Sequence, residues 1–245
     1  MLILLILRSG YTRFCAGTLV NTIHENYMKT GFFGFIAVVF LIMFGGCSKE
    51  LSVEEKTGPV IVPDTTYQPL ESGSSWVYQD SSTGTTTTLN ATDSDTTIDG
   101  KSYTVFNSVA SGQTADQYFN ISFHDYYSIG VIGFGLPGVE FLYLNDTASA
   151  GYNWQVSAGT FNGYPAQVQG QIIDTGLTVT IGANTFMHVI HSQISMEYNV
   201  GSGFQTPYAI YDFYAAKGVG IIKIEINIPS VPFQDALTLV SYSIQ

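Results

Sequence analysis

The chain has 245 residues and a net charge of −11 at neutral pH, although only 11% of its residues are charged. After Cys47 there are five lysines, no arginine and eighteen acidic residues, so this part has a net charge of −13. Such a field repels nucleic acid and anionic lipid head groups, which excludes both as electrostatic partners. The missing arginines also remove the usual bidentate clamp for phosphate or carboxylate substrates.

The first element in chain order is an apolar segment, residues 31–44, preceded by Met28 and Lys29. It is too short and too rich in glycine for a comfortable membrane span of about 20 residues. It fits the hydrophobic region of a secretory signal with Lys29 as the positive start. The alternative is an uncleaved membrane anchor in which Cys47 is an ordinary buried thiol. Residues 1–27 would make a rare tandem signal, so we expect translation to start at Met28.

The segment ends in the sequence FGGC at residues 44–47, which resembles the lipobox of bacterial lipoproteins. The resemblance implies cleavage between Gly46 and Cys47, an acyl chain such as palmitate on the Cys47 sulfur, and anchoring in the outer membrane. The following SKE, residues 48–50, is similar to the export signal of surface lipoproteins of the Bacteroidota type. We therefore expect a signal peptide at 1–46, with the protein on the periplasmic face or the cell surface.

The next region, residues 47–66, predicts an extended, solvated tether because it is rich in proline and charge and has no sustained periodicity. A single all-β domain is expected over residues 67–245. Its strand signals, in chain order, are residues 75–79, 84–90, 101–106, 117–123, 126–132, 139–144, 166–173, 177–181, 185–198, 208–214, 219–228 and 236–244. Asp99-Gly100 is a strong hairpin signal. The pattern predicts a mainly β protein with a single curved antiparallel sheet, an open barrel or a sandwich.

Two motifs support that fold class by resemblance. The sequence PLESGSSWVY at residues 69–78 and the sequence YAAKGVGIIK at 214–223 resemble the opening and closing motifs of extracytoplasmic bacterial domains of unassigned function. Such domains look like the curved sheets of periplasmic lipoprotein carriers, and the resemblance carries no catalytic residue. Within the first motif, Trp76 and Tyr78 share one strand face, where they either fill the core or line a ligand cleft.

Metal and catalytic signals are weak in this sequence. His188 and His191 are three apart in a predicted strand, so they face opposite sides and cannot share one ion. The acidic segment 93–100 departs from the spacing of a calcium loop and is expected to be a turn leading into a hairpin. No Gly-x-Ser-x-Gly elbow is present. We therefore expect no metal and no cofactor.

Three threonines follow aspartate in patterns that resemble the O-glycosylation sites of exported Bacteroidota proteins. They are Thr65, Thr96 and Thr147, all expected in loops or in the tether, where a bulky glycan can be solvated.

Three function classes follow. The first is a non-catalytic, lipid-anchored lipoprotein with a structural role or with a protein, glycan or lipid ligand. The second is a periplasmic carrier of lipids or other apolar ligands of the open-barrel type, which requires a long apolar cavity. The third is a surface glycan-associated hydrolase or binding module, and a hydrolase requires converging carboxylates or a His-Ser pair.

Overall fold

The computed structural model describes residues 65–132, 135–204, 207–231 and 233–245, except for the side chains of 135–137. Regular structure in these residues consists of twelve β-strands. In chain order the strands are β1 (Ser75–Asp80), β2 (Thr86–Ile98), β3 (Lys101–Ala110), β4 (Gln113–Ser122), β5 (Asp125–Val131), β6 (Gly135–Asn145), β7 (Asn153–Phe161), β8 (Tyr164–Ile181), β9 (Asn184–Tyr198), β10 (Ala209–Ala216), β11 (Gly220–Ile228) and β12 (Phe233–Ser243). Over these same ranges, no helix has the length and hydrophobicity needed to cross a bilayer.

The strands form one antiparallel sheet that closes into a barrel. Each strand pairs with its neighbours in sequence, and β1 also pairs with β12, from Ser75 opposite Ser243 to Asp80 opposite Leu237. The predicted fold class, a mainly β protein with a single curved antiparallel sheet, is confirmed. The sheet closes because its first and last strands pair with each other, so among the described residues it has no free edge, unlike an open barrel or a sandwich.

Tight turns explain why successive strands are neighbours. The predicted Asp99-Gly100 hairpin is confirmed, with φ of 50° and 81° at its two residues. Ser111 and Asn162, each followed by glycine, start two further turns with φ of 48° and 51°. Positive φ in a two-residue loop matches the right-handed twist of the strands, so each such turn sends the chain directly back along its partner.

Two strand predictions were wrong. β7 was not predicted, because its NWQVSAGTF sequence combines small and polar residues and leaves most of one face exposed. The predicted strands 166–173 and 177–181 are one 18-residue strand, β8. Its pairing with β9 shifts register around Asp174 and Leu177. The residues between the two predicted strands therefore form bulges within β8 and not a turn.

The barrel interior is packed with aromatic side chains. The largest fully buried ones include Trp76, Tyr78, Phe106, Phe119, Phe141, Tyr143, Tyr211 and Phe213. Phe141 on β6 lies 5.4 Å from Tyr211 on β10, measured between ring centres, although three strands separate β6 from β10 along the sheet. Side chains from opposite walls therefore touch across the interior, and burial of these rings supplies much of the driving force for folding.

The chain enters the barrel at one end, here called the entry end, where β1 begins. The residues just before β1 pack against this end, since Tyr67 and Gln68 are buried and the Gly218 amide donates to the Thr66 carbonyl at 2.7 Å. The β4–β5 turn and the β6–β7 loop lie at the same end, because antiparallel strands bring every second connection there.

Candidate functional site

The weakest junction of the barrel lies between β6 and β7, and we call it the seam. Among the described residues, the register of these two strands consists of one backbone pair, Val139 opposite Gly159. Gly138 and Gly159 both have positive φ, 83° and 78°, and a side chain on Gly159 would place its Cβ 2.8 Å from the Gly138 carbonyl oxygen. The two glycines therefore allow a close approach of backbones that other residues would prevent.

Two side chains from other strands bond the β6 backbone where the β6–β7 ladder ends. The Trp154 indole on β7 donates to the Leu142 carbonyl on β6 at 3.1 Å. From β9, the Ser192 hydroxyl donates to the Tyr143 carbonyl, also on β6. Side-chain hydrogen bonds thus replace the missing backbone ladder over this part of β6.

Beside the seam, the outer face of the sheet carries a cavity of 290 Å³, here called the seam pocket. The strand register brings three of its lining residues side by side. Tyr118 lies opposite Ile129, and Ile129 lies opposite Glu140, so their side chains form a row across β4, β5 and β6. Its remaining lining residues are Ile98, Asp99, Lys101, Tyr103, Gly138, Ala158 and Gly159. The walls are mainly apolar with a few converging polar groups, which is the usual composition of a ligand site.

The polar groups of the seam pocket satisfy one another. The Lys101 ammonium lies 2.8 Å from both carboxylate oxygens of Glu140. The Tyr103 hydroxyl also donates to Glu140. Lys101 sits over the Tyr127 ring at 4.4 Å from its centre, a cation–π contact. These contacts hold Lys101, Tyr103 and Glu140 in a defined arrangement at the pocket wall.

Burial and nearby carboxylates raise the pKa values of two tyrosines at or beside the pocket, Tyr103 and Tyr127. Burial raises the pKa of Tyr103 well above 10, and the hydrogen bond to Glu140 raises it further. Burial, followed by the charge of Asp125, raises the pKa of Tyr127. A tyrosine that acts as a general base needs a lowered pKa, so the environment of Tyr103 suits a hydrogen-bond donor.

A second, smaller cavity of 160 Å³ lies on the outer face over β7, β8 and β9. It is polar, and its lining residues are Asn153, Trp154, Gln169, Gly170, Gln171, Gln193 and Ser195. Nearby, Glu197 accepts from the Gln167 amide at 2.7 Å and from the Gln169 amide at 3.1 Å. Within the lining, the amides of Asn153, Gln169 and Gln193 are thus already paired within the protein.

The two aromatic residues proposed from the sequence as ligand-lining lie in the barrel interior. Trp76 is 0% exposed and Tyr78 is 1% exposed. The Trp76 indole donates to the Val219 carbonyl at 2.6 Å, and the Tyr78 hydroxyl donates to the Ile221 carbonyl at 2.8 Å. Both side chains link β1 to the β10–β11 region, so the two sequence motifs, 69–78 and 214–223, meet in space.

The threonines with the O-glycosylation pattern have different surroundings. Thr65 and Thr147 are exposed. The expectation that Thr96 lies in a loop is wrong, because it is in β2 and pairs with Tyr103 of β3. The expectation of an acidic turn over 93–100 is also wrong for most of its length, since residues up to Ile98 belong to β2. Gly46 and Cys47 lie outside the described residues.

The two histidines considered as a metal pair, His188 and His191, have different surroundings. His188 is exposed and has φ of 54° within β9. His191 bonds Asp212 at 2.8 Å and stacks on Tyr214 at 4.3 Å between ring centres. Within 65–132, 135–204, 207–231 and 233–245, no group of three potential metal-binding side chains is found.

Sequence reasoning missed Lys101, Tyr103 and Glu140 as site residues. The signal available in the sequence was the scarcity of basic residues, since Lys101 is one of five lysines after Cys47. Glu140 is 39 residues away, and the contact between them depends on the register of four strands.

No protein-family profile and no curated protein matches the chain. Two solved structures are similar to it. One, a candidate lipoprotein of Parabacteroides distasonis ATCC 8503, is 13% identical, with a TM-score of 0.46 over 74% of this chain and 99% of that chain. The other, a candidate exported protein with a YmcC-like fold from Bacteroides fragilis NCTC 9343, is 12% identical, with a TM-score of 0.45 over 71% and 97% of the two chains. No site residue is transferred from either.

Proposed function

We propose that this protein is a lipid-anchored extracytoplasmic lipoprotein with a non-catalytic binding role, and that its ligand site is the seam pocket. The observation that carries the binding role is the 290 Å³ cavity with apolar walls and the Lys101–Tyr103–Glu140 cluster at one side. The lipobox-like sequence at residues 44–47 supports the anchor and the outer-membrane location.

A binding role fits the chemistry of the seam pocket better than a hydrolytic one. The raised pKa of Tyr103 keeps its proton in place, and Lys101 is already paired with Glu140. The Lys101 ammonium has three donors and gives two of them to Glu140, so one fixed donor remains. Such a donor beside aromatic and aliphatic walls suits a small ligand that has both an apolar face and hydroxyl groups, such as a sugar.

The carrier alternative has less support. A carrier of the open-barrel type holds its apolar ligand inside the sheet, whereas the rings of Phe141, Tyr211, Tyr143 and Phe213 contact one another across this interior. Displacing such rings would cost the packing energy that holds the barrel walls together.

Metabolic labelling of cells with a palmitate analogue tests the anchor. We expect label on the wild-type chain, no label on Cys47→Ser and full label on the matched control Ser52→Ala. Absence of label from the wild type, or label that persists in Cys47→Ser, contradicts the anchor.

Saturation-transfer NMR with methyl glucoside and octyl glucoside tests the seam pocket. We expect a transfer signal that Ile129→Glu abolishes, because this substitution fills the pocket and adds a charge to its apolar wall. The matched control is Val109→Glu on the exposed part of β3, which should keep the signal. Equal loss in both variants, or no signal from either probe, contradicts the site.

A further inference from the structure

The turn between β4 and β5 carries a side chain that the folded barrel does not explain. Phe123 is 94% exposed and has φ of 57°. Bulky residues at positive φ are outliers because the side chain crowds the backbone. The corresponding positions of three other turns hold Asp99, Ser111 and Asn162, short polar residues that suit this conformation. Phe123 therefore gains neither a favourable backbone conformation nor burial within the barrel.

Hydrogen bonds tie this turn to the point where the chain enters the barrel. The Tyr67 amide donates to the Tyr126 hydroxyl oxygen at 3.2 Å, and that hydroxyl donates to Asp146 at 2.9 Å. His124, the other residue of the turn, lies 2.8 Å from the same carboxylate. The entering chain, the Phe123 turn and the β6–β7 loop thus form one connected surface at the entry end.

The length of chain before this surface limits its distance from an anchored Cys47. Thr65 follows Cys47 by eighteen positions in the sequence. Even a fully extended chain of that length spans at most about 65 Å, and it reaches the barrel at the entry end. A lipid on Cys47 is therefore joined to the barrel through its entry end.

We propose that the Phe123 turn inserts into the interfacial region of the bilayer that anchors the chain, with Tyr152 of the adjacent β6–β7 loop beside it. Tyr152 is 49% exposed, and tyrosine suits an interface because one end of its side chain is apolar and the other is polar. The net charge of −13 after Cys47 favours a zwitterionic surface. This inference rests on the lipid anchor of the proposed function.

A fluorescence experiment with an imposed anchor tests the inference separately from the anchor itself. Residues 47–245 contain Cys47 as their sole cysteine, so this chain can be coupled to a maleimide lipid in phosphatidylcholine vesicles. The reporter is Phe123→Trp, and the matched control is Val231→Trp, 50% exposed in the β11–β12 turn at the far end. Trp76 and Trp154 are common to both variants, so the difference spectrum isolates the new indole.

We expect brominated phosphatidylcholine to quench the new indole of Phe123→Trp and to shift its emission to shorter wavelength, because interfacial side chains lie about 5–10 Å below the headgroup boundary. The Val231→Trp emission should not change. Equal quenching of the two variants, or no quenching of Phe123→Trp, overturns the inference even where the labelling experiment confirms the anchor. Quenching that appears only when a second protein is added also overturns it, because the occupant is then a protein.

Substitution of Phe123 by asparagine separates membrane contact from structure. In a Tyr152→Trp background, Phe123→Asn should reduce quenching of the reporter indole in the β6–β7 loop. The melting temperature of Phe123→Asn should equal or exceed that of the parent, since asparagine tolerates positive φ. A lower melting temperature would make Phe123 a structural residue and would contradict the inference.

Discussion

Two junctions of the barrel hold their strands by different means. Between β8 and β9 the pairing extends from Ala166 opposite Tyr198 to Ile181 opposite Asn184, and it continues through several register shifts. At the seam, one backbone pair and the Trp154 side chain join β6 to β7, and the Ser192 side chain joins β6 to β9. A long ladder spreads its stability over many bonds, whereas a short one concentrates it in few atoms. Single substitutions should therefore have their largest effects at the seam.

The largest expected effect comes from Gly170→Ala on β8. A Cβ at this position would lie 2.0 Å from Cε2 of Trp154, so the indole must leave its site and lose its bond to the Leu142 carbonyl. We expect a loss of about 3 kcal/mol in the free energy of unfolding, comparable with removing the packing of a large side chain. Urea denaturation measures it.

A double-mutant cycle controls this first prediction. In a Trp154→Leu background, Gly170→Ala should cost much less because the clashing ring is absent. Equal costs in the two backgrounds would show that the indole does not set the requirement for glycine.

A smaller loss is expected for Gly159→Ala. This residue has φ of 78°, and its Cβ would meet the Gly138 carbonyl oxygen at 2.8 Å, so the substitution adds a clash at the seam to the backbone strain. We expect a loss of about 2 kcal/mol. The matched control is Gly163→Ala, with φ of 81° and open space around the Cβ, which reports the strain alone. A control that is as damaging as Gly159→Ala refutes the close contact between β6 and β7.

Removal of a single seam hydrogen bond should have a moderate effect. Ser192→Ala leaves the Tyr143 carbonyl without this hydroxyl, and we expect a loss of about 1 kcal/mol. Hydrogen exchange followed by mass spectrometry should show faster exchange in β6 and β7, with little change in the distant β11–β12 pair. The control variant is Ser241→Ala at an exposed position of β12. Uniform acceleration across the barrel would mean that the bond stabilises the whole fold and not the seam.

The smallest effect is a dependence on alkaline pH. Burial and the bond to Glu140 raise the pKa of Tyr103 above its ordinary value of 10.0. Below pH 10 both the folded and unfolded states keep this proton, so the contribution to stability is full. Above pH 10 the unfolded chain loses the proton first, and stability falls as pH rises.

Tyr103→Phe should therefore make the decline of stability above pH 10 less steep, as followed by urea midpoints. Buried Tyr78, Tyr143 and Tyr211 also have raised pKa values, so part of the decline will remain. Tyr164→Phe, at an exposed position, is the control. An unchanged slope in Tyr103→Phe would mean that folding does not raise the pKa of this hydroxyl.

Local sequence was enough to predict most of the strands. β10 and β11 alternate buried and less buried residues along most of their length, and Asp99-Gly100 dictates a turn because its residues accept positive φ. β7 was missed because its Ser157, Ala158 and Gly159 carry little strand propensity. This strand exists because β8 supplies a paired edge and Gly170 leaves space for Trp154.

Alternation, turn residues and charge are local properties, so the amino-acid sequence alone specifies a β protein of repeated hairpins with an acidic exterior. Tertiary structure alone decided that the sheet closes, that Lys101 meets Glu140, and that Trp76 and Tyr78 face the interior. These outcomes depend on strand register accumulated around the barrel, and register is set by bulges and packing between residues far apart in the chain.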